Sequence, residues 1–164
     1  FYTYQDIVVK DREESQNYDC ILKRGVTVLE LNSRQEPCPD YMKSFKYTIT
    51  GNCGNVFNPS TGHCLKPETL TKTYDISGDQ LKGKRFFFSI YFFLGEDDVT
   101  DIQLTTQSID TEDKVVKNLS FENVHMVKGK VTTYKGPFLS THSSASFIID
   151  SPTIPDSGFS TEFE

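Results

Sequence analysis

Three histidines, two runs of carboxylates and four cysteines carry most of the reactive chemistry in this 164-residue chain. His63, His125 and His142 could each serve as a general base near neutral pH. None stands in a metalloprotease pattern, and no GxSxG nucleophile elbow accompanies them. A structural role at or near the surface is expected of each. Asp97, Asp98 and Asp101, then Asp110, Glu112 and Asp113, crowd hard oxygen ligands together as calcium sites do. They sit within two turns, without EF-hand spacing and not as a pair facing across a cleft. Charged turns that keep loops in water are the expected reading. Neither GxGxxG nor GxxxxGK followed by Ser or Thr occurs, so no phosphate cradle is expected. No constellation favours an enzyme, and no cofactor or metal is expected.

Cys20, Cys38, Cys53 and Cys64 are even in number and confined to the first 64 residues. Four cysteines allow three pairings. The tightest joins Cys53 to Cys64 around GNCGNVFNPSTGHC and leaves Cys20 with Cys38, which implies an oxidising compartment. Four reduced thiols are the alternative. A zinc site from Cys53, His63 and Cys64 is weaker, because two of the three are adjacent and no CxxC supports them.

The formal charge of −6 disfavours nucleic acid and anionic lipid as partners, since both select basic surfaces. A mean hydropathy of −0.44 is that of a soluble chain. No apolar run approaches the roughly 18 residues of a membrane helix. The longest, Phe86 to Leu94, is broken by Ser89 and has the length of a strand. The first residue is Phe1, read as the start of a processed chain whose export signal has been removed. Asn118-Leu119-Ser120 formally matches a glycosylation acceptor.

Positioning falls to strands. In SFKYTIT, Phe45, Tyr47 and Ile49 point one way while Lys46, Thr48 and Thr50 point the other, a half-buried strand ended by Gly51. GVTVLEL and LTKTYDI read alike. RFFFSIYFFL is apolar on both faces, as a strand inside a sandwich would be. VTDIQLTTQSI, KVVKNLSF, KVTTYKGPFL and ASFIID follow, divided by turns such as GEDD and DTED. No helix is expected beyond a single turn near Pro67–Leu70 or Gly78–Leu81. Pro152 and Pro155 keep the stretch SPTIPDSG out of any central strand. The tail GFSTEFE alternates again, with Phe159, Thr161 and Phe163 on one side. FYTY at the start is an aromatic cluster suited to contact. The expected fold is all-β: a two-sheet antiparallel sandwich of seven to nine strands, formed as one domain over 1–164. Residues 1–23 form an extension or edge strand, 24–150 the sandwich core, and 151–164 a Pro-rich connector and last strand.

Several of these stretches resemble fimbrillin-like proteins of Bacteroidales. KYTITGNCGNVFNPSTG is similar to their strand, Gly, Phe-Asn and Thr-Gly passage. LTKTYDIS followed by FFFSIYFFLGEDDVTDIQLTT is similar to their central run. NVHMVKGKVTTYKGPFLS is the most specific piece, and Arg24 before GVTVLEL resembles an early Arg-then-strand passage. The resemblance covers roughly residues 24–140 and is nearest to the fimbrial-subunit and anchor lipoproteins of type V pili. It implies a transthyretin-like, Greek-key sandwich displayed on the outer membrane or in a fimbrium through a lipid anchor upstream of this chain. It also implies partners that are other fimbrial subunits, or a protein or glycan on a host or bacterial surface. Assembly would proceed by strand exchange, with Arg24 as a processing site. Within that scheme Phe159, Thr161 and Phe163 would supply an incoming strand, and the strand carrying Val26, Val28 and Leu31 a receiving pocket. The four cysteines lie outside the family pattern, and its pilins usually have two such domains. The competing expectation is a secreted glycan- or protein-binding module that uses the Cys53–Cys64 loop, since loops on rigid scaffolds carry recognition.

Overall fold

The computed structural model describes residues 1–5, 7, 17–33, 36–79, 81–139 and 147–153. Among these residues every regular element is a strand and none is a helix. The main strands are β1 (Thr27–Asn32), β2 (Met42–Gly51), β6 (Leu70–Asp75), β7 (Phe87–Leu94), β8 (Val99–Asp110), β9 (Val115–Val127), β10 (Val131–Lys135) and β11 (Ile148–Thr153). Three two-residue strands, β3 (Cys53–Gly54), β4 (Phe57–Asn58) and β5 (His63–Cys64), raise the total above the number expected.

The strands form two layers. One sheet runs β11-β10-β1-β7-β3, the other β6-β2-β8-β9, and β4 pairs only with β5. This is the two-sheet sandwich that the alternating segments predict. One pair departs from the antiparallel expectation: β1 and β10 are parallel, with Val28 opposite Val131 and Asn32 opposite Lys135. No hairpin joins these two strands. β10 enters this sheet from β9 in the opposite layer, so no turn dictates its direction beside β1.

Period-two burial explains each element. In β2, Phe45, Tyr47 and Ile49 are buried while Lys46, Thr48 and Thr50 are less so. The turn between β8 and β9 is built by Asp110, whose Oδ1 accepts the backbone N–H of Glu112 at 3.0 Å and of Lys114 at 2.9 Å. Asp113 there takes a φ of 64°, a conformation that short polar residues tolerate better than most. The run at 110–113 is therefore turn chemistry at a hairpin end, whereas Asp97 and Asp98 lie in the crossing from β7 to β8 and Asp101 sits within β8 opposite His125.

Between the layers lies an aromatic core centred on Phe45. Its ring stacks on Phe88 of β7 at 5.0 Å and nearly parallel, and meets Phe138 edge-on at 6.2 Å. β7 is apolar on both faces in sequence, yet only Phe88, Ile90, Phe92 and Leu94 turn inward. Phe87 and Tyr91 face solvent. The second apolar face is exposed at Phe87 and Tyr91 and covered at Phe93, whose ring meets Phe57 of β4 at 4.8 Å. Pro152 lies in β11, an edge strand, as its missing N–H requires.

Phe45→Ala should cost about 3–5 kcal/mol, because the ring is fully buried and its neighbours belong to two different sheets. Urea unfolding followed by tyrosine fluorescence measures this. A loss below about 1 kcal/mol would remove Phe45 from its central role.

Candidate functional site

The sandwich closes on one flank and stays open on the other. On the closed flank, β9 packs near β10, β11 and β1. On the open flank, β6 pairs with β2 along one side, and no described strand pairs with its other side. β7 pairs with β1 from Phe87 to Phe92, but among the described residues its opposite edge pairs only with β3, at Phe93 and Leu94. Two strand edges with unpaired stretches therefore face the same side of the molecule.

A groove of about 240 Å³ lies between them, lined by Tyr47, Glu68, Leu70, Lys72, Ile90 and Tyr91 among others. At one end, Tyr74 of β6 stacks on Phe88 of β7 at 4.6 Å, and Lys72 Nζ lies over the Tyr74 ring at 4.8 Å. Burial, followed by the neighbouring Tyr74, pushes the Tyr47 hydroxyl up to about 12. Tyr47 is thus a neutral hydrogen-bonding group in the groove floor at physiological pH.

The segment at residues 1–5 is tied to the sandwich through Tyr2. Its backbone exchanges two hydrogen bonds with Lys23, at 2.7 and 2.8 Å. Its ring meets Phe57 edge-on at 5.3 Å and lies so close to Gly62 that a Cβ there would fall 2.0 Å from Tyr2 Cζ. Gly62 also has a φ of 75°, so both conformation and space call for glycine. Lys128 completes the clasp. Its Nζ lies 5.3 Å from the Tyr2 ring centroid, 3.0 Å from Asp98 and 3.3 Å from His63 Nε2. Burial lowers the Lys128 pKa, but hydrogen bonds to Tyr2 and Asp98 together with their charges more than reverse that, and the net shift is upward. His63 Nδ1 is buried with no hydrogen-bond partner among the described residues. FYTY is therefore half anchored: Tyr2 is held, while Phe1 and Tyr4 are exposed.

His63 and His125 do not converge. His63 belongs to this clasp, and His125 pairs across strands with Asp101 at 3.0 Å on an exposed face. His142 lies outside the described residues. No group of three metal-ligating side chains exists among the described residues. Phe159, Thr161 and Phe163 also lie outside the described residues. β1, which holds Val28 and Leu31, is bonded on both edges, to β10 and β7, so it offers no free main-chain edge to an incoming strand. Val26 and Val28 line a groove on the outer face of the sheet, and Leu31 is in the core. Arg24 is half-buried beside them, its guanidinium 5.6 Å from the Phe1 ring. The open flank itself was not legible in the sequence. Its only signal is a short strand, LTKTYDI, with threonine and lysine on one face.

The expected disulfides are corrected. All four cysteines are free, and no two lie at disulfide distance. Cys53 turns into the core, whereas Cys64 packs over the next residue: a Cβ on Gly54 would lie 3.2 Å from Cys64 Cβ. Successive strand residues point to opposite faces, so the partner Cys64 needs is on the wrong side. Cys38 is buried and Cys20 is exposed beside Gln5. The loop between β4 and β5 is instead held by Asn58, whose side chain accepts from the Ser60 hydroxyl at 2.7 Å and whose carbonyl accepts from Gly62 N–H at 2.8 Å. No family model, curated protein or solved structure matches the chain. What the structure defines is an all-β, two-sheet sandwich with one open flank.

Two outcomes follow from the buried groups. Burial, then Cys64 and Glu68, raises the Cys53 thiol to about 11. Iodoacetamide at pH 8 should label Cys20 and spare Cys53, as read by peptide mass spectrometry; rapid labelling of Cys53 would show that β3 is open. Cys53 and Tyr47 also make stability depend on alkaline pH. Both pKa values are raised on folding, so above pH 9 the unfolded chain holds fewer protons than the folded one. Stability should be flat from pH 7 to 9 and fall between 9 and 12, measured by urea midpoint against pH. A midpoint that rises across that window would contradict the burial.

Proposed function

We propose that this protein is a non-catalytic cell-surface subunit that assembles with other subunits by adding a strand along the β6–β7 flank. The observation that carries the reading is that flank: two strand edges with unpaired stretches beside a side-chain groove. Strand addition uses main-chain hydrogen bonds for affinity and pockets for alternate side chains for selectivity. Here Leu70, Ile90 and Tyr47 supply apolar and aromatic lining, and Glu68 and Lys72 supply charge at the rim. An unprotected edge is otherwise an aggregation hazard, and native proteins commonly cover, shorten or charge such edges.

The fimbrillin-like resemblance gives this reading its biological form. The domain would be a subunit or anchor of a surface fibre, held at the outer membrane by a lipid anchor upstream of this chain. Its contacts would be with other fimbrial subunits or with a surface protein or glycan. Residues 159–163 alternate as an added strand should, with Phe159, Thr161 and Phe163 on one face. The β6–β7 flank takes over the receiving role from the strand of Val26, Val28 and Leu31.

Sedimentation of the full chain against a truncation ending at residue 153 tests this. Concentration-dependent multimers should form with the full chain and vanish on truncation, while the circular-dichroism melt stays within a few degrees. Leu70→Glu, which places a charge in the groove, should also abolish multimers. A full chain that stays monomeric and does not bind a peptide spanning 154–164 would rule the proposal out.

A further inference from the structure

The outer face of the five-stranded sheet is a trough of a definite chemical kind. Its pairings set residues side by side across β7, β1 and β10. Phe87 lies beside Asn32 and Lys135, Ser89 beside Glu30 and Thr133, and Tyr91 beside Val28 and Val131. The floor is sunk although it faces away from the core: Asn32 is 3% exposed, Val28 7% and Thr133 9%. The rim stands high, with Tyr91 at 65% and Phe87 at 48%. A groove of about 380 Å³ occupies the end bounded by Phe1, Arg24, Glu30 and Tyr91.

This layout inverts a protein-binding patch. Interfaces between proteins place apolar anchors at the centre and polar groups at the rim. Here the middle row is Ser89, Glu30 and Thr133, and the aromatics stand at the border. Glu30 Oε2 accepts from Thr133 Oγ1 at 2.9 Å, and the carboxylate has no cationic partner among the described residues. Its remaining lone pairs face the groove as acceptors for hydroxyl groups. Phe87 and Tyr91 lie four residues apart on one strand, about 13 Å at some 3.3 Å per residue. Their faces are open platforms of the sort that pack against the C–H face of a sugar ring, since the π face is electron-rich. A site with flat apolar platforms and hydroxyl acceptors between them suits a carbohydrate. Asp150, opposite Thr133 on β11, is paired with Lys135, so among the described residues the face carries one unpaired carboxylate, Glu30; with the net charge of −6 this favours a neutral one.

We propose that the β7–β1–β10 face binds a short neutral oligosaccharide, with Phe87 and Tyr91 stacking on sugar rings and Glu30 accepting from their hydroxyls. The site stands apart from strand addition on the β6–β7 flank, although Tyr91 borders both. The full chain, labelled with ¹⁵N, is titrated with chitotriose, cellotriose and maltotriose. At least one sugar should shift amides of β1, β7 and β10. Phe87→Ala and Tyr91→Ala should then weaken that binding by about tenfold or more, roughly 1.4 kcal/mol each. Glu30→Gln should weaken it several-fold, and all three variants should keep the parent melting temperature. Leu70→Glu, which blocks assembly, should leave sugar binding unchanged, so the two readings can fail separately. The proposal is overturned if none of the three sugars shifts those amides, or if the aromatic variants bind as tightly as the parent. It is equally overturned if Phe87→Ala abolishes self-association in place of sugar binding, because the face would then join copies of the chain.

Discussion

The stacking of Phe45 on Phe88 is the contact on which the rest depends. One ring comes from the centre of the four-stranded sheet and the other from the five-stranded sheet, so the pair fixes how the two layers face each other. Interiors are packed nearly as tightly as organic crystals, and a stacked pair at that depth leaves little freedom to slide. Tyr74, Phe86 and Phe138 join the same cluster, which extends it from the open flank toward the closed one. Once Phe45 and Phe88 are inward, the period of two sends Phe87 and Tyr91 to the outer face. The aromatics of the trough are thus set by the same parity that sets the core.

Closure is unequal. β8 and β9 form the longest pairing, and β9 reaches across to β10 and β11. On the other flank β6 and β7 do not pair with each other, and β7 is met there by the two-residue β3, next to the small β4–β5 hairpin and its Tyr2 clasp. An all-β fold without full closure keeps unpaired edges, and it must cover them or use them. Here the outer ends are handled differently: β11, with Pro152, caps one edge of its sheet, while β6 and β7 leave theirs available.

Most of the strands were legible in the sequence, because period-two alternation needs nothing but local residues. Lys46, Thr48 and Thr50 against Phe45, Tyr47 and Ile49 specify a half-buried strand wherever it lies. Pro152 marked an edge, and the acidic run at 110–113 was read as a turn, as Asp110 bears out, whereas Asp101 of the other run lies in β8 opposite His125. The cysteines show where local reading stops. Cys53 and Cys64 sit close in sequence and near each other in space, but their facing is decided by pairing with β7 and β4, and that pairing keeps both thiols free. The apolar run of β7 likewise gave its secondary structure but not its exposure.

By itself, then, the chain determined the class of fold and the positions of its principal strands, because both follow from residue type and spacing. Tertiary structure alone decided that β1 lies between β7 and β10 with no free edge, that β10 runs parallel to it, and that β6 and β7 border an open groove. It also brought Lys128, Asp98, His63 and Tyr2 together from four separate parts of the chain. The reason is physical: strand order and the neighbours of an edge depend on long-range pairings that no short window of sequence contains.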